Sequence, residues 1–348
     1  MMVMNEPFTT IIWINHNSRK IIEIVIKAIE ALTKLNFTNY EIIIVENGST
    51  DGSDKIIEEY LKGLDGELSS RIKYIKLEKN YGFTGAIYYA YKARDFRAKY
   101  CMLVNTDMII EPEAIKQAIN FLELNKHVGA VQGIILRLTS ECDEIDSAGM
   151  MIDEFLNRIK LFRGQEISDV LEKIDKPQYV SFVEGTGPIY RIEAVEKCYQ
   201  RNDILYIPQA FIWYLEDMYL GLLMWSKGYA SVLLPIIFGK HYREYSIKRM
   251  KKELLYVQLR NDVAINLLCR NRTYPFRVLR ILLTLLKCMV SGKKDKVRAI
   301  LSGINLFLKI KSSFGSINLD NAPKIKCTSL ISNGFKTCFQ LRGKITTL

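Results

Sequence analysis

The chain has 348 residues, of which 49% are hydrophobic and 25% are charged. These values exclude a wholly disordered protein and allow a sizeable core, in two domains or in one large domain with an appendage. Charge is uneven, because residues 241–348 contain 22 Lys or Arg and 5 Asp or Glu, a local charge of +17, which leaves −6 for residues 1–240. We therefore expect the C-terminal part to meet an anionic surface.

Cysteine usage favours a reducing compartment. The 7 cysteines form no C-x-x-C pair, so we expect neither a disulfide framework nor a zinc site. The first residues, MMVMNEPFTT, lack a basic segment leading into an apolar one, so no signal peptide is predicted. No run of about 18 uncharged apolar residues occurs, so no ordinary transmembrane helix is predicted either.

Strands and helices are predicted to alternate over the first 135 residues. Apolar residues at helical spacing predict helices after residue 18, after residue 52, over 86–98 and after Pro112. The alternation indicates an α/β fold with a mixed, mostly parallel sheet flanked by helices. Short apolar runs predict the strands of this region at 9–14, 41–45, 72–77, 100–104 and 128–134.

The pattern is less regular in the middle of the chain. Apolar runs predict strands at 180–183 and 230–234, and helical spacing predicts a helix at 216–227. Polar side chains follow three strands of the first half, at 15–17, 46–47 and 105–107. Because the carboxyl ends of parallel strands meet at one edge of a sheet, ligands are expected there.

The chain beyond residue 250 is helical in pattern and basic. Its apolar segments 276–290 and 299–310 are interrupted by Arg280, Lys287 and Lys309. This composition is typical of helices that lie on a membrane surface, although an ordinary helical pair packed on the preceding domain fits it equally well.

Five segments of the chain carry a recognisable pattern. They are INHNS (14–18), IVENGSTDGS (44–53), KNYGFTGA (79–86), LVNTDMIIEP (103–112) and FIWYLEDMYLGLLMWSKGY (211–229). In order and spacing they resemble glycosyltransferase family 2, most closely its rhamnosyltransferase-like subgroup, over residues 8 to about 262. The resemblance implies a GT-A catalytic domain over 1–262 and inverting transfer of a sugar from a nucleotide diphosphate donor.

The resemblance places donor binding in residues 1–135. Glu46 stands where the family usually has Asp, and Thr84 where it usually has Ala. Glycines at a helix start let backbone amides approach an anion such as the diphosphate. The residues assigned to the donor are Asn15, Asn17, Glu46, Asn47, Asn80, Gly82, Phe83, Gly85, Asn105 and Asp107.

Asn105-Thr106-Asp107 occupies the place of the family's D-x-D metal motif. Only Asp107 is acidic there, and the resemblance implies that it holds Mg²⁺ or Mn²⁺ together with His241. A divalent ion offsets the negative charge that accumulates on a leaving diphosphate.

The resemblance places acceptor binding in residues 136–262. Asp217 is the implied base that takes the proton of the acceptor hydroxyl, and Glu216 beside it is implied to hold the acceptor. Tyr219 stands where the family often has a second Asp. The loop of Glu184, Gly185 and Thr186, followed by Arg191, resembles the family's acceptor loop.

Residues 263–348 are predicted to form a basic amphipathic helical tail that associates with a membrane. The implied acceptor is a glycan or a polyprenyl-linked molecule, and the expected location is cytoplasmic, peripheral on the inner face of the cell membrane. We expect no nucleic acid partner, because the aromatic residues of the tail are too scattered to form a stacking platform.

Two other classes of protein stay open. A nucleotidyltransferase also uses an α/β sheet and a metal-binding Asp, but it normally has a glycine- and arginine-rich loop after the first strand, where this chain reads NHNSR. The other class is a non-catalytic protein that binds an anionic surface, either a membrane or a nucleic acid, through the basic tail.

Overall fold

The computed structural model describes residues 6–208, 210–211, 214–243 and 251–325. The strands of these residues, in chain order, are β1 (Thr9–Asn15), β2 (Tyr40–Asn47), β3 (Ile72–Leu77), β4 (Tyr100–Val104), β5 (Met108–Ile110), β6 (Val128–Arg137), β7 (Ile145–Ser147), β8 (Met150–Asp153), β9 (Arg158–Lys160), β10 (Gln178–Val180), β11 (Ile189–Arg191), β12 (Ala230–His241), β13 (Cys269–Arg270), β14 (Ile317–Asn318) and β15 (Lys324–Ile325). The helices are α1 (Ile22–Thr33), α2 (Ser53–Lys62), α3 (Gly66–Ser70), α4 (Gly82–Ala93), α5 (Ala114–Leu124), α6 (Ile167–Leu171), α7 (Ile192–Tyr199), α8 (Glu216–Ser226), α9 (Lys251–Leu268), α10 (Tyr274–Val290) and α11 (Lys294–Phe314).

One sheet forms the centre of the part of the chain that the structure describes. Its order is β10-β12-β6-β11-β4-β1-β2-β3, with β5 paired to β12 and β7 to β6. The strands β4, β1, β2 and β3 are parallel neighbours, as are β6 and β12. The short β11 is antiparallel to both β4 and β6, so the six long strands all run in one direction. The predicted mixed, mostly parallel α/β fold is confirmed.

Helices cover both faces of this sheet. Alternate residues of a strand face opposite sides, so neighbouring residues of β1 belong to different cores. Ile11 and Trp13 of β1 share a core with apolar residues of α1, α2 and α5. Ile12 lies between them in sequence and shares a second core with residues of α4, α7 and α8. Central strands that are buried on both faces explain why their sequences are continuous apolar runs.

Several predicted elements have different limits in the structure, and the physical reason is visible for two of them. The helix predicted at 86–98 is α4, which ends at Ala93 because Arg94 adopts an extended backbone and donates from Nη1 to the carbonyl of Tyr91 at 2.7 Å. The strand predicted at 180–183 ends at Val180, because the amides of Ser181 and Phe182 instead donate to the carbonyl of Met150. Met150 begins β8 in a small second sheet of order β15-β8-β9, which was not predicted.

The helices α9, α10 and α11 pack on one another through an apolar cluster of their own, formed by Val263, Leu267, Ile281 and Ile300. The predicted domain boundary at residue 262 lies inside α9, and the division into two domains stays a prediction. Residues 326–348 of the predicted tail lie outside the described residues. Among the described helices, none is long and apolar enough to cross a membrane.

Gly221 lets α8 approach the chain beside it closely. A Cβ atom at Gly221 would lie 2.3 Å from Cβ of Phe182, far inside van der Waals contact. Both atoms belong to rigid parts of the fold, so an added methyl group would push α8 away from the segment that follows β10.

We expect Gly221→Ala to lower the free energy of unfolding by about 1–3 kcal/mol, the usual cost of overpacking a core. Urea denaturation would measure it. Gly66→Ala is the matched control, because a Cβ atom at Gly66 meets nothing within 4 Å. Equal stability of the two variants would contradict the close packing of α8.

Candidate active site

A cleft of about 690 Å³ lies at the carboxyl ends of β1 and β4. The start of α8, the hairpin of β8 and β9, and part of α9 complete its walls. The position agrees with the general rule that ligands of open α/β sheets bind beyond the carboxyl ends of the strands. The sequence-predicted site residues that line the cleft are Phe83, Asn105, Asp107, Glu184, Gly185, Thr186, Glu216 and Asp217.

Asp217 is fixed at the first turn of α8, on the wall of the cleft. The preceding residues Tyr214 and Leu215 both have a positive φ, of 80° and 73°, an uncommon conformation that turns the chain sharply into the helix. Asp217 Oδ2 accepts a hydrogen bond from the amide of Gly185 at 2.9 Å, and Oδ1 accepts one from the amide of Met218 at 2.7 Å. The carboxylate is therefore held in one orientation.

The two neighbouring carboxyl groups have raised pKa values. Burial raises the pKa of Asp217 and the charge of Glu184 adds to the effect, while the two backbone donors oppose it. Burial also raises the pKa of Glu216, and so does the charge of Asp217. Oε2 of Glu216 is buried and has no hydrogen-bond partner in the described part of the chain. A carboxylate whose pKa is shifted toward neutrality is suited to accept a proton in a reaction at physiological pH.

His241 lies between two carboxylates across the cleft. Its Nε2 is 3.0 Å from Oδ1 of Asp107, and its Nδ1 is 2.9 Å from Oδ2 of Asp146. Burial alone would lower the pKa of His241, but the hydrogen bonds and charges of the two carboxylates outweigh it and raise the pKa to about 9. The strand β12 ends at His241 and β5 begins one residue after Asp107, so the antiparallel pairing of these strands sets the contact.

Four basic side chains surround the acidic groups. Lys160 Nζ lies 2.5 Å from Glu184 Oε1, and Arg243 binds both Glu184 at 2.6 Å and Asp146 at 2.8 Å. Arg158 forms an ion pair with Asp262 of α9. The basic residues that line the cleft are Arg158, Lys160, Arg163 and Arg243. Cations so placed can neutralise anionic groups of a bound molecule as well as the carboxylates of the cleft.

Glu46 joins the loops that follow β1 and β2. Its Oε2 accepts from Asn15 Nδ2 at 2.6 Å and its Oε1 from the amide of Ser49 at 2.8 Å, and the side chain is 1% exposed. The buried Asn17 extends the same connection, because its Oδ1 accepts from the amide of Thr50 at 2.8 Å. In this arrangement Glu46 holds the two loops together and offers no exposed oxygen to a ligand.

Asn47 joins the loop after β2 to the start of α4. Its Nδ2 donates to Asn80 Oδ1 at 3.1 Å and to the carbonyl of Gly82 at 3.3 Å. A Cβ atom at Gly48 would lie 2.4 Å from the carbonyl carbon of Lys79, so the two loops meet too closely for any other residue there. Asn80 is exposed beside this junction, whereas Gly85 is buried within α4.

The model of the family described as Glycosyl transferase family 2 matches residues 10–198, more than half of the chain. The chain belongs to this family. An uncharacterized glycosyltransferase of Haemophilus influenzae is 28% identical over 144 residues, which are 41% of this chain and 42% of that protein. A poly-beta-1,6-N-acetyl-D-glucosamine synthase of Staphylococcus epidermidis is 30% identical over 111 residues, 32% of this chain and 25% of that protein. Each match thus spans less than half of the relative's length.

Solved structures show the same fold at low sequence identity. A mannosyltransferase of Pyrobaculum calidifontis in complex with GDP-Man and Mn²⁺ has a TM-score of 0.52 at 12% identity, over 89% of this chain and 76% of that one. GalNAc-T7 with UDP, GalNAc and Mn²⁺ has a TM-score of 0.54 at 12% identity, over 74% of this chain and 48% of that one. These likenesses concern the fold, which is of the GT-A type.

Among the predicted site residues of this glycosyltransferase, Arg191 lies at the edge of the sheet opposite the cleft. Arg191 is 6% exposed, and its guanidinium donates to the backbone carbonyls of Leu122, Asn125 and Val128. It also donates to the hydroxyl of Tyr100, which is at the amino end of β4, opposite the cleft. Its position does not support the predicted acceptor contact, and we assign Arg191 a structural role instead.

Several residues of the glycosyltransferase cleft were not predicted from the sequence. Asp146 stands on the short β7, which has no apolar pattern, and Gln132 is buried in β6, where it binds the backbone of Glu184 and Thr186. The only sequence signal for the hairpin is the spacing of its basic residues in RIKLFR (158–163).

His241 should make the stability of the metal-free protein depend on pH. Its pKa is about 9 in the folded chain and about 6.5 when unfolded, so its contribution is fully present below pH 6.5 and is lost as pH rises through 9. Between pH 6.5 and pH 9, we expect the free energy of unfolding of wild type to fall by about 3 kcal/mol more than that of His241→Gln. Urea denaturation in a chelating buffer would measure it. His127→Gln, which changes an exposed histidine, should keep the wild-type dependence, and a parallel dependence in all three proteins would contradict the contact.

Proposed function

We propose that this glycosyltransferase moves a hexose, with inversion, from a nucleotide diphosphate donor to an acceptor hydroxyl. The observation that supports this best is the buried, oriented carboxylate of Asp217 in the same cleft as Asp107, which contacts His241. Asp217 is suited to take a proton, and Asp107 and His241 are suited to bind near the charged diphosphate of a donor. The mannosyltransferase and GalNAc-T7 structures with the same fold contain nucleotides or nucleotide sugars, which agrees with this proposal.

Asp217 acts as the base in the proposed reaction. The acceptor oxygen attacks the anomeric carbon, its proton passes to Asp217, the bond from the anomeric carbon to the diphosphate oxygen breaks, and the nucleoside diphosphate leaves. A single displacement of this kind inverts the anomeric carbon. Glu216, whose pKa is raised by burial and by the charge of Asp217, holds the acceptor as a protonated hydrogen-bond donor.

Asp107 and His241 have the chemistry of a site for Mg²⁺ or Mn²⁺. Asp107 and His241 would hold this ion through a carboxylate oxygen and an imidazole nitrogen, which lie 3.0 Å apart. Asp146 orients the imidazole from its other nitrogen, as carboxylates do beside metal-binding histidines. A bound ion would supply positive charge at the departing diphosphate. No group of three or more potential ligands occurs in the described ranges, so the remaining ligands would be donor oxygens and water.

The donor's nucleoside is proposed to lie on the loops that follow β1 and β2 and precede α4. Asn17, Asn80, Gly82 and Phe83 are the contacts proposed there, and Asn15, Glu46 and Asn47 keep the loops in place through the hydrogen bonds described above. Asn105 lies beside the diphosphate position, where its Nδ2 is 3.3 Å from Thr186 Oγ1.

The acceptor is proposed to be a glycan or a polyprenyl-linked molecule at the inner face of the cell membrane. The support is the outer face of α10, where large apolar side chains are exposed between basic residues. Glu184, Gly185 and Thr186 form the acceptor wall of the cleft in this proposal. The relative that synthesises poly-beta-1,6-N-acetyl-D-glucosamine agrees with a role in polysaccharide synthesis.

Asp217→Asn should reduce sugar transfer by about 10²–10⁴-fold, because the amide cannot take the acceptor's proton. Donor binding should stay almost unchanged, since the substitution is isosteric. The assay is release of nucleoside diphosphate from a panel of nucleotide sugars, and release of pyrophosphate instead would indicate nucleotidyl transfer. Asp169→Asn, at an exposed carboxylate of α6, is the control. Unchanged turnover in Asp217→Asn would refute its assignment as the base.

Asp107→Asn should weaken binding of Mn²⁺ with a nucleoside diphosphate. At one hundred times the dissociation constant, a ligand stabilises a folded protein by about 2.7 kcal/mol. We expect UDP or GDP with Mn²⁺ to raise the melting temperature of wild type and of Asp169→Asn, and to raise that of Asp107→Asn much less. An equal rise in all three proteins would argue against a metal site at Asp107.

A further inference from the structure

Two further cavities share lining residues, one with the cleft and both with each other. An inner cavity of about 420 Å³ lies between the β8–β9 hairpin and the three C-terminal helices, and Arg158 lines both this cavity and the cleft. An outer groove of about 300 Å³ lies on α10, and Arg280 and Thr284 line both the groove and the inner cavity. The three spaces therefore adjoin in series, with Arg158 at one junction and Arg280 at the other.

The inner cavity has an apolar wall and a polar rim. The wall is formed by Leu259, Val263, Ile281 and Ile300. Asn266 lies on the rim, is 8% exposed, and its Oδ1 has no hydrogen-bond donor in the described part of the chain. The guanidinium of Arg280 has no ion pair within the described residues, whereas Arg158 is paired with Asp262. An unsatisfied buried acceptor and an unpaired cation beside an apolar wall suit a ligand with a polar head and an apolar chain.

The outer groove continues this amphipathic character to the surface. Phe276, Leu279, Leu283 and Leu286 are 53–65% exposed and follow one stripe of α10, at a helix spacing that would normally face a core. Residues 276–311 contain nine basic residues and one acidic residue. An exposed apolar stripe with a basic border is complementary to an anionic lipid interface.

We infer that the inner cavity and the outer groove bind the acceptor as a long-chain lipid phosphate. The phosphate lies between Arg280 and Arg158, the chain lies against the apolar wall and the stripe of α10, and the rest of the head group extends into the cleft toward Asp217. An apolar chain suits this wall and the exposed stripe of α10 better than a free glycan does, and Arg280, which has no ion pair among the described residues, is suited to an anion. This inference rests on the proposed function, since it names the acceptor class for the same cleft.

Calorimetric titration of the full-length chain with farnesyl phosphate, below its micellar concentration, tests the inference. We expect saturable binding at least tenfold tighter than that of farnesol or inorganic phosphate. Arg280→Gln should weaken it about tenfold, the effect of losing one charge-assisted contact. Thr284→Trp should weaken it at least as much, because the indole fills the junction between cavity and groove. Both positions are exposed, so both variants should keep the wild-type melting temperature.

The inner cavity and the outer groove together are called the channel below. Matched controls distinguish binding in this channel from general attraction to a basic surface. Lys293→Gln removes a cation near the same surface but outside both cavities, and Thr284→Ser keeps the junction open; both should bind farnesyl phosphate like wild type. The fraction of protein that floats with phosphatidylglycerol vesicles should fall slightly, and by the same amount, in Arg280→Gln and Lys293→Gln. The inference is overturned if farnesol binds as well as farnesyl phosphate, if Thr284→Trp binds normally, or if Lys293→Gln loses as much affinity as Arg280→Gln.

Donor hydrolysis separates failure of this inference from failure of the proposed function. Wild type should release nucleoside diphosphate slowly from its nucleotide sugar without any acceptor. Hydrolysis without farnesyl phosphate binding would overturn the lipid channel alone. Channel-dependent farnesyl phosphate binding without hydrolysis of any nucleotide sugar would count against the glycosyltransferase proposal and leave the channel standing.

Discussion

The cleft depends on a chain of buried ion pairs that crosses from the sheet to the β8–β9 hairpin. His241 bridges Asp107 and Asp146, Arg243 bridges Asp146 and Glu184, and Lys160 completes the chain at Glu184. Each member would be costly to bury alone, because an unpaired charge loses its hydration without compensation. The network therefore fixes the relative positions of β12, β7 and the hairpin, and with them the walls of the cleft.

The same network adds to the effect of burial, which is the main reason that the pKa of Asp217 is raised. Glu184 stays charged because Arg243 and Lys160 lower its pKa against the effect of burial. Its charge in turn raises the pKa of Asp217, which has no cationic partner of its own among the described residues and only two backbone donors. Asp217 is thus suited to take a proton because it is buried, has no cationic partner among the described residues and lies near the charge of Glu184.

The sequence predicted features that depend on neighbouring residues better than features that depend on contacts between distant parts of the chain. The strands β3 and β4 were predicted with their observed limits, because the apolar residues that mark each strand form a local pattern. Arg191 was placed wrongly, because its spacing from the acceptor loop does not reveal that β11 runs antiparallel and carries it to the opposite edge. Asp146 was missed for a related reason, since a single Asp in a three-residue strand acquires its role only from partners about 95 positions away. Local patterns therefore predicted the sheet and most of the cleft, and long-range pairing determined the rest.

The uneven charge of the chain reflects two populations of cations with different partners. In the cleft, Arg158, Lys160 and Arg243 are each paired with a carboxylate, so they add little to the field that the protein presents at a distance. Over residues 276–311 the cations outnumber the acids nine to one, and several exposed cations lie beside an exposed apolar stripe. The excess positive charge is therefore concentrated where apolar surface is also exposed. A nucleic acid would neutralise that charge but leave the stripe in water, whereas an anionic lipid interface covers both.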